Sequence, residues 1–466
     1  MRAHLTTALA LALTLTARAE TPLIEASIEG DTARIAELLR AGDDVNEQVQ
    51  TPGLTHGWTP LAHAVRQGHA DAVRTLLDAG AELTSAYTIE PIYRSQGVVQ
   101  PLIIAAQYAD LEIVRMLVDA GGDFTAELNA SENLLHLAAR NDEPDLIPYF
   151  VNDLGIDPNA VDEKGRTPMF HASRWETPTL PDATLEDRIP RDEEREVRKL
   201  LVMLELLAAG CEINRFDNSG FTPLLMACMH GTASQVRFLL EHGAVLFDGT
   251  GGVFNSLIID PDADGQDADL RTIHPVALGA AFSGDAGVLS LLAQYNADLN
   301  ATDSNNRDLL EVAVSRANNL VIPELIGFGF DPDAADRYGR THLMHACIAT
   351  TDTSRLRNRY RGHVPTARAL IEGGADLTLT DEGGRTALHY AAGSAVPELV
   401  ELLLASGADP LAEDLEGRTP LDYTATDAPR VGRYPLDAAN RAACAPILEA
   451  AMQRARAEAQ TTGAGG

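Results

Sequence analysis

Arginine and aspartate recur along this chain at fixed distances, and the spacing itself suggests chemistry. Arg166, Arg340, Arg385 and Arg418 each follow a glycine, and Arg307 follows Asn306 in the equivalent place. Asp303, Asp336, Asp381 and Asp414 stand a few residues earlier. A guanidinium is a planar fork that matches a carboxylate with two hydrogen bonds. The row therefore has two readings: arginines paired with their own aspartates, or forks presented to the carboxylates of a partner. A denser run, Arg355, Arg357, Arg359 and Arg361, carries the same two readings. Asp260, Asp262, Asp264 and Gly265 reproduce the first half of a calcium loop, in which alternating carboxylates wrap one ion. The second half departs from it, with Asp267 at the usual apolar eighth position and Arg271 where a bidentate Glu belongs. An irregular calcium-stabilised loop and a solvated acidic loop both fit.

The elements that position these groups show in the apolar pattern. Pairs of leucines precede a glycine by three residues at Leu38-Leu39 to Gly42, Leu76-Leu77 to Gly80, Leu206-Leu207 to Gly210, Leu239-Leu240 to Gly243 and Leu403-Leu404 to Gly407. Each is a helix end closed by a residue in the left-handed conformation, which glycine adopts without a Cβ clash. Gly121, Gly155, Gly329 and Gly374 close similar units, and Asn296 closes one that lacks glycine. Successive closing positions are 38, 41, 34, 55, 33, 53, 33, 45 and 33 residues apart, a period of 33 with insertions. Upstream, Thr59-Pro60-Leu61, Thr222-Pro223-Leu224 and Thr419-Pro420-Leu421 open a preceding helix, threonine as cap and proline as first residue.

A Thr-Pro-Leu opening, a Leu-Leu-x-x-Gly close, a following Ala-Asp and a 33-residue period resemble the ankyrin repeat. The stretch from Gly384 to Pro410 matches it almost residue for residue, while the units near 131 and 306 lack the Thr-Pro opening. The resemblance implies an all-α repeat solenoid of about 10–11 units with β-hairpin fingers at the junctions, covering residues 20–458, with 459–466 a disordered tail. Insertions are expected near 85–99 and 248–271, where fingers belong, and near 175–191 and 349–363, between the two helices of a unit. It also implies structural duty for His63, His136, His171, His345 and His389, which bond neighbouring backbone. Cys211, Cys228 and Cys347 fall at small-residue core positions. His342 and His345 near Cys347 lack an evident third metal ligand.

Residues 1–19 read as a signal peptide: Arg2, an apolar run from Leu5 to Thr16, and an Ala17-Arg18-Ala19 cleavage site. Its removal takes the formal net charge from −32 to −34, because two arginines leave and no acid does. Such acidity argues against nucleic acid as a partner, and no later stretch approaches the ~20 apolar residues of a membrane span. Only Lys164 and Lys199 are lysines beside 34 arginines, a bias of GC-rich bacterial coding sequence. The expected address is periplasmic, with secretion as the alternative. No nucleophile elbow, P-loop, GxGxxG or HExxH motif occurs, so a non-enzyme is expected.

What the resemblance implies about function is protein binding through finger tips and the concave face, with no resident cofactor unless the Asp260 loop holds calcium. The candidate contact residues are Trp58, Lys164, Arg166, Phe221, Arg307, Tyr338, Arg340, Arg385 and Arg418. Two alternative roles are a calcium-dependent secreted surface protein and a regulator or protector of a neighbouring periplasmic enzyme.

Overall fold

The computed structural model describes residues 21–48, 57–89, 95–125, 131–140, 143–175, 193–246, 276–302, 307–348, 363–425 and 438–463. The chain divides into two compact units, Met1–Ala244 and Val245–Gly466. Each is built from pairs of short helices, an inner one followed by an outer one. In the first unit the pairs are Pro22–Glu29 with Thr32–Ala41, Pro60–Arg66 with Ala70–Asp78, and Pro101–Tyr108 with Leu111–Asp119. Leu134–Ala138 follows with Leu146–Pro148, which runs on as a π turn over Tyr149–Asp153. Pro168–Ala172 with Glu193–Ala208 and Pro223–His230 with Ala233–Glu241 complete the unit. The second unit pairs Val276–Ser283 with Ala286–Gln294, Leu309–Ser315 with Ile322–Gly327, His342–Cys347 with His363–Glu372, and Ala387–Gly393 with Pro397–Ala405. It ends in a 3-10 turn, Pro420–Thr424, and the helix Ala438–Gly463.

The local signals produce these elements for the expected reasons. Thr59 and Thr222 accept from the backbone N–H three residues on, at 3.3 and 3.2 Å, with proline next in line. At the other end Gly42 takes φ 103° and its N–H donates to the Leu39 carbonyl. Asn296 manages the same left-handed turn at φ 58°. Inner helices are apolar nearly all round and almost wholly buried, since inner packs on inner along each unit and the outer helix covers the remaining side. Outer helices bury one stripe and expose the other.

An inner helix of five to eight residues ends with bare carbonyls inside the protein, and these need partners. The following repeat supplies them. His69 Nε2 lies 3.0 Å from the Ile28 carbonyl. Lys199 Nζ donates to the carbonyls of Ala139 at 2.9 Å and Arg140 at 3.1 Å. Gln235 Nε2 donates to Ala172 at 2.8 Å, and Asn318 Nδ2 donates to Ala281 and Phe282. Four different side chains thus perform one task.

Two expectations change. The described junction fingers are tight turns closed by one backbone pair, as in Asp336 N to Arg340 O at 2.9 Å, with an isolated bridge at Ala335 and Thr341. Among the described residues, ladder strands occur only at Ser85–Ile89 and Ser95–Val99, inside the 85–99 insertion, in antiparallel register. The turn aspartate draws the N–H groups inward, so the ladder does not extend. The terminal helix continues past Glu458 to Gly463; Ala459 and Gln460 favour helix, and the last turn carries Thr461 and Thr462 against their propensity. Of the other insertions, 248–271 lies outside the described residues, as do 176–191 and 349–362. All four cysteines are free and buried, Cys444 included.

Replacing buried Lys199 by methionine keeps the stem but strips both donors from two carbonyls. We expect Lys199→Met to lower unfolding free energy by about 1–3 kcal/mol, and the exposed Lys164→Met to change it by less than about 0.5 kcal/mol. Urea denaturation of both variants checks this.

Candidate functional site

The turn carboxylates organise the junctions. Asp381 Oδ1 accepts the backbone N–H groups of Gly383 at 2.9 Å and Arg385 at 2.8 Å, which bends the chain. Its Oδ2 accepts from Arg385 Nε at 2.9 Å and from the Tyr390 hydroxyl at 2.7 Å. Asp414 repeats this with Arg418 Nε at 2.8 Å and the Tyr423 hydroxyl at 2.7 Å. Asp336 does so with Arg340 Nε at 2.8 Å and His345 Nε2 at 3.1 Å. The partner sits nine residues after the aspartate, one turn into the inner helix, and is Tyr or His.

Two neighbouring junctions, at Asp162 and Asp217, depart from this, and their composition explains why. Asp217 bends its turn onto Ser219 and Phe221, but Phe221 occupies the arginine position and Met226 the Tyr/His position. Its Oδ2 instead accepts from Arg166 Nε of the preceding turn at 3.2 Å. The neighbouring repeat again completes a group that its own repeat leaves open.

Electrostatics follow from this geometry. Burial alone would raise Asp414, yet the Tyr423 hydroxyl and the Arg418 backbone and side chain outweigh it and hold the carboxyl at about 2. Asp162 behaves alike: burial opposes, His171 and the Arg166 N–H prevail, and the value is about 2. Burial pushes His171 down to about 4, with Asp162 only partly offsetting it. His63 also falls to about 4 through burial and the nearby Arg66 charge. His136 and His389 bond the carbonyls of Arg166 and Arg418 in the next turn, at 3.0 and 3.1 Å.

The predicted contact residues fall in three settings. Arg340, Arg385 and Arg418 are tied to their aspartates, yet their side chains keep 29%, 30% and 35% exposure. Arg166 is 20% exposed and committed to Asp217. Tyr338 is exposed at a turn tip with the Arg337 and Arg340 guanidinium groups 4.8 and 5.0 Å from its ring centroid. Lys164 is exposed, while Phe221, Arg307 and Trp58 are half-buried, and Arg66 stands over the Trp58 ring. Tips within a unit join through backbone: Glu382 N donates to Tyr338 O and Leu415 N to Gly383 O, both at 3.0 Å. In the first unit Asn218 N donates to Lys164 O. Asp260, Asp262 and Asp264 lie outside the described residues, as do Arg355, Arg357, Arg359 and Arg361.

Sequence reasoning passed over one cluster. Glu132, Asp162 and His171 bring a donor atom each within 4.8 Å of one another, a plausible ligand count for a metal. Arg140 bonds Glu132, and its Nη2 is 2.9 Å from His171 Nδ1. That nitrogen must then accept, which places the neutral ring's proton on Nε2, 3.3 Å from Asp162 Oδ2. A metal would need the Nε2 lone pair. The cation suited to this arrangement is the guanidinium.

Comparison with known proteins agrees with the geometry. The family model described as ankyrin repeats (3 copies) matches residues 5–86, 102–180 and 358–434, and that for a single ankyrin repeat matches 219–248. The ankyrin repeat protein nuc-2 of Neurospora crassa is 24% identical over 359 residues, covering 74% of this chain and 28% of the relative. Human ankyrin repeat and SOCS box protein 6 is 27% identical over 236 residues, 47% of this chain and 50% of the relative. The palmitoyltransferase AKR1 of Lachancea kluyveri is 29% identical over 165 residues, 35% of this chain and 19% of the relative. The chain thus spans half or less of the length of these relatives.

The pKa directions fix how acid acts. His171 sits below the ordinary value of about 6.5, so its contribution is full above that pH and is lost as pH falls toward about 4. Asp162 and Asp414 sit below the ordinary value of about 3.9, so theirs is lost between there and about 2. Unfolding midpoints measured from pH 7.5 to 2.5 should fall in two stages. His171→Gln should make the first shallower while His63 keeps part of it, and Asp414→Asn should lower the midpoint already at neutral pH.

Proposed function

This chain belongs to the ankyrin-repeat family, and we propose that it is a non-catalytic protein-binding scaffold whose contact surface is the row of junction turns. The observation that carries this reading is the state of Arg340, Arg385 and Arg418. Each is held by its aspartate through Nε, which fixes the plane of the fork, while about a third of the side chain stays open to solvent. A pre-oriented guanidinium loses little freedom when it meets a second carboxylate. Tyr338 adds an aromatic anchor between two guanidinium groups at the same row. Internal pairing and partner contact are therefore compatible uses of one side chain.

The non-catalytic part of the reading is supported by how the reactive groups are spent. His136, His345 and His389 face backbone carbonyls or turn carboxylates, and burial raises the thiols of Cys211 and Cys444 to about 11. Among the described residues no helix is long and apolar enough to cross a membrane. Export to the periplasm rests on the leader-like residues 1–19, and the bacterial address rests on composition alone, since the relatives named above are fungal and human. A mature mass beginning at Glu20 in the periplasmic fraction supports export; an intact amino terminus in the cytoplasm contradicts it.

The partner can be captured by crosslinking in living cells followed by mass spectrometry. Against it, Arg340→Ala combined with Arg385→Ala should weaken affinity about tenfold or more, or about 1.4 kcal/mol. The melting temperature should move little, because Asp381 keeps the Tyr390 hydroxyl and two backbone donors. A large loss of stability with unchanged affinity would contradict this.

A further inference from the structure

The outer helix Glu193–Ala208 exposes apolar residues at positions where three other outer helices expose charged pairs; Leu320, nine residues before Gly329, is the other exposed leucine so placed. Counted back from the closing glycine, the ninth and sixth positions lie on the solvent side. They are Asp71 and Arg74 before Gly80, Glu112 and Arg115 before Gly121, and Glu398 and Glu401 before Gly407, all exposed. The sixth position is also an exposed arginine at Arg237 and Arg368. Before Gly210 the same two positions are Leu201 and Leu204, 41% and 42% exposed. Val197, at 56%, and exposed Ala208 continue the line.

Residues 197, 201, 204 and 208 are spaced four, three and four apart, which is the spacing of a helix-pairing seam. The helix already has an inward face, made by Arg195, Lys199, Val202, Met203 and Leu206. Its second apolar line is thus surplus to the fold. At 16 residues it is also longer than the nine-residue outer helices at 70–78, 111–119 and 233–241. A seam of this period takes a helix; a strand, with its period of two, would meet it only at intervals.

The surroundings indicate which helix. Glu193, Glu194 and half-buried Glu205 share the element with the seam. The outer helices packed on either side add exposed Asp145, Asp153 and Glu241. The opposing charges are Arg198, bonded to Glu194 at 2.7 Å, and Arg237. A second copy of this chain would bring the same acidic flanks and a formal net charge of −32, so self-pairing is disfavoured.

We propose that Val197, Leu201, Leu204 and Ala208 form a docking seam for a basic amphipathic helix of another protein. This surface is separate from the junction turns, so either reading can fail without the other. The test uses the full chain and labelled peptides of about three heptads, with leucine at the seam positions and either lysine or glutamate flanking them. Fluorescence anisotropy should show the lysine-flanked peptide binding at least about tenfold more tightly than the glutamate-flanked one. The variant Leu201→Glu with Leu204→Arg, which copies the 112/115 pattern, should weaken the lysine-flanked peptide about tenfold with an unchanged melting temperature. A lysine-flanked peptide with serine at its seam positions should fail on the unaltered chain, which reads the seam without any variant. Equal binding of the two flank types, or undiminished binding by the variant, would overturn the proposal. So would dimerisation of the unaltered chain that the variant abolishes, or a marked fall in the variant's melting temperature, which would mean that the seam serves this chain's own fold.

Discussion

A helix of five residues does not persist alone in water, because nucleation fixes several torsions before enough hydrogen bonds form. Everything in this chain follows from having built its interior from such pieces. Leu134–Ala138 survives because Lys199 bonds its last carbonyls from the following repeat and His136 reaches forward to the Arg166 carbonyl. Each completing group lies on a neighbouring repeat, so order propagates along a unit by nearest-neighbour contacts. The side chains that do this vary among His, Lys, Gln and Asn, since the carbonyls require only a donor at the right distance.

The turn carboxylate applies the same constraint at the junctions. One aspartate bends the turn with its first oxygen and ties turn to helix with its second. It can do so while buried because two backbone N–H groups and a hydroxyl or imidazole share the charge, with arginine added at Asp336, Asp381 and Asp414. At Asp217 the guanidinium comes from Arg166 of the preceding turn, so a neighbouring repeat can supply it. The same bonds orient Arg340, Arg385 and Arg418 at the surface. An acidic protein therefore keeps a row of fixed positive edges, and the proposed contact surface uses the same side chains that hold the turns.

Much of this was legible in the sequence. The closing glycines and Asn296 declare themselves because few residues accept positive φ, and the Thr-Pro openings because proline tolerates only the first helical turn. The coupling of Asp336 to His345 and of Asp381 to Tyr390 was harder to see. It needs two helical residues and a turn to be superposed, and Tyr and His look unrelated as letters. The Arg140 cluster joins Glu132 to His171 across a repeat boundary, which periodicity alone does not mark. The exposed seam was hidden for another reason: Leu200-Leu201 and Leu206-Leu207 read alike as core, and only packing separates buried Leu206 from exposed Leu201 and Leu204.

The central proposal is that the junction turns are the working surface. Hydrogen–deuterium exchange of the chain with and without its crosslink-identified partner tests that directly. Slowed exchange across 336–340, 381–385 and 414–418, with the outer helices Ala286–Gln294 and Pro397–Ala405 unchanged, is the predicted result. Protection confined to outer helices, with those turns exchanging as in the free chain, would contradict it.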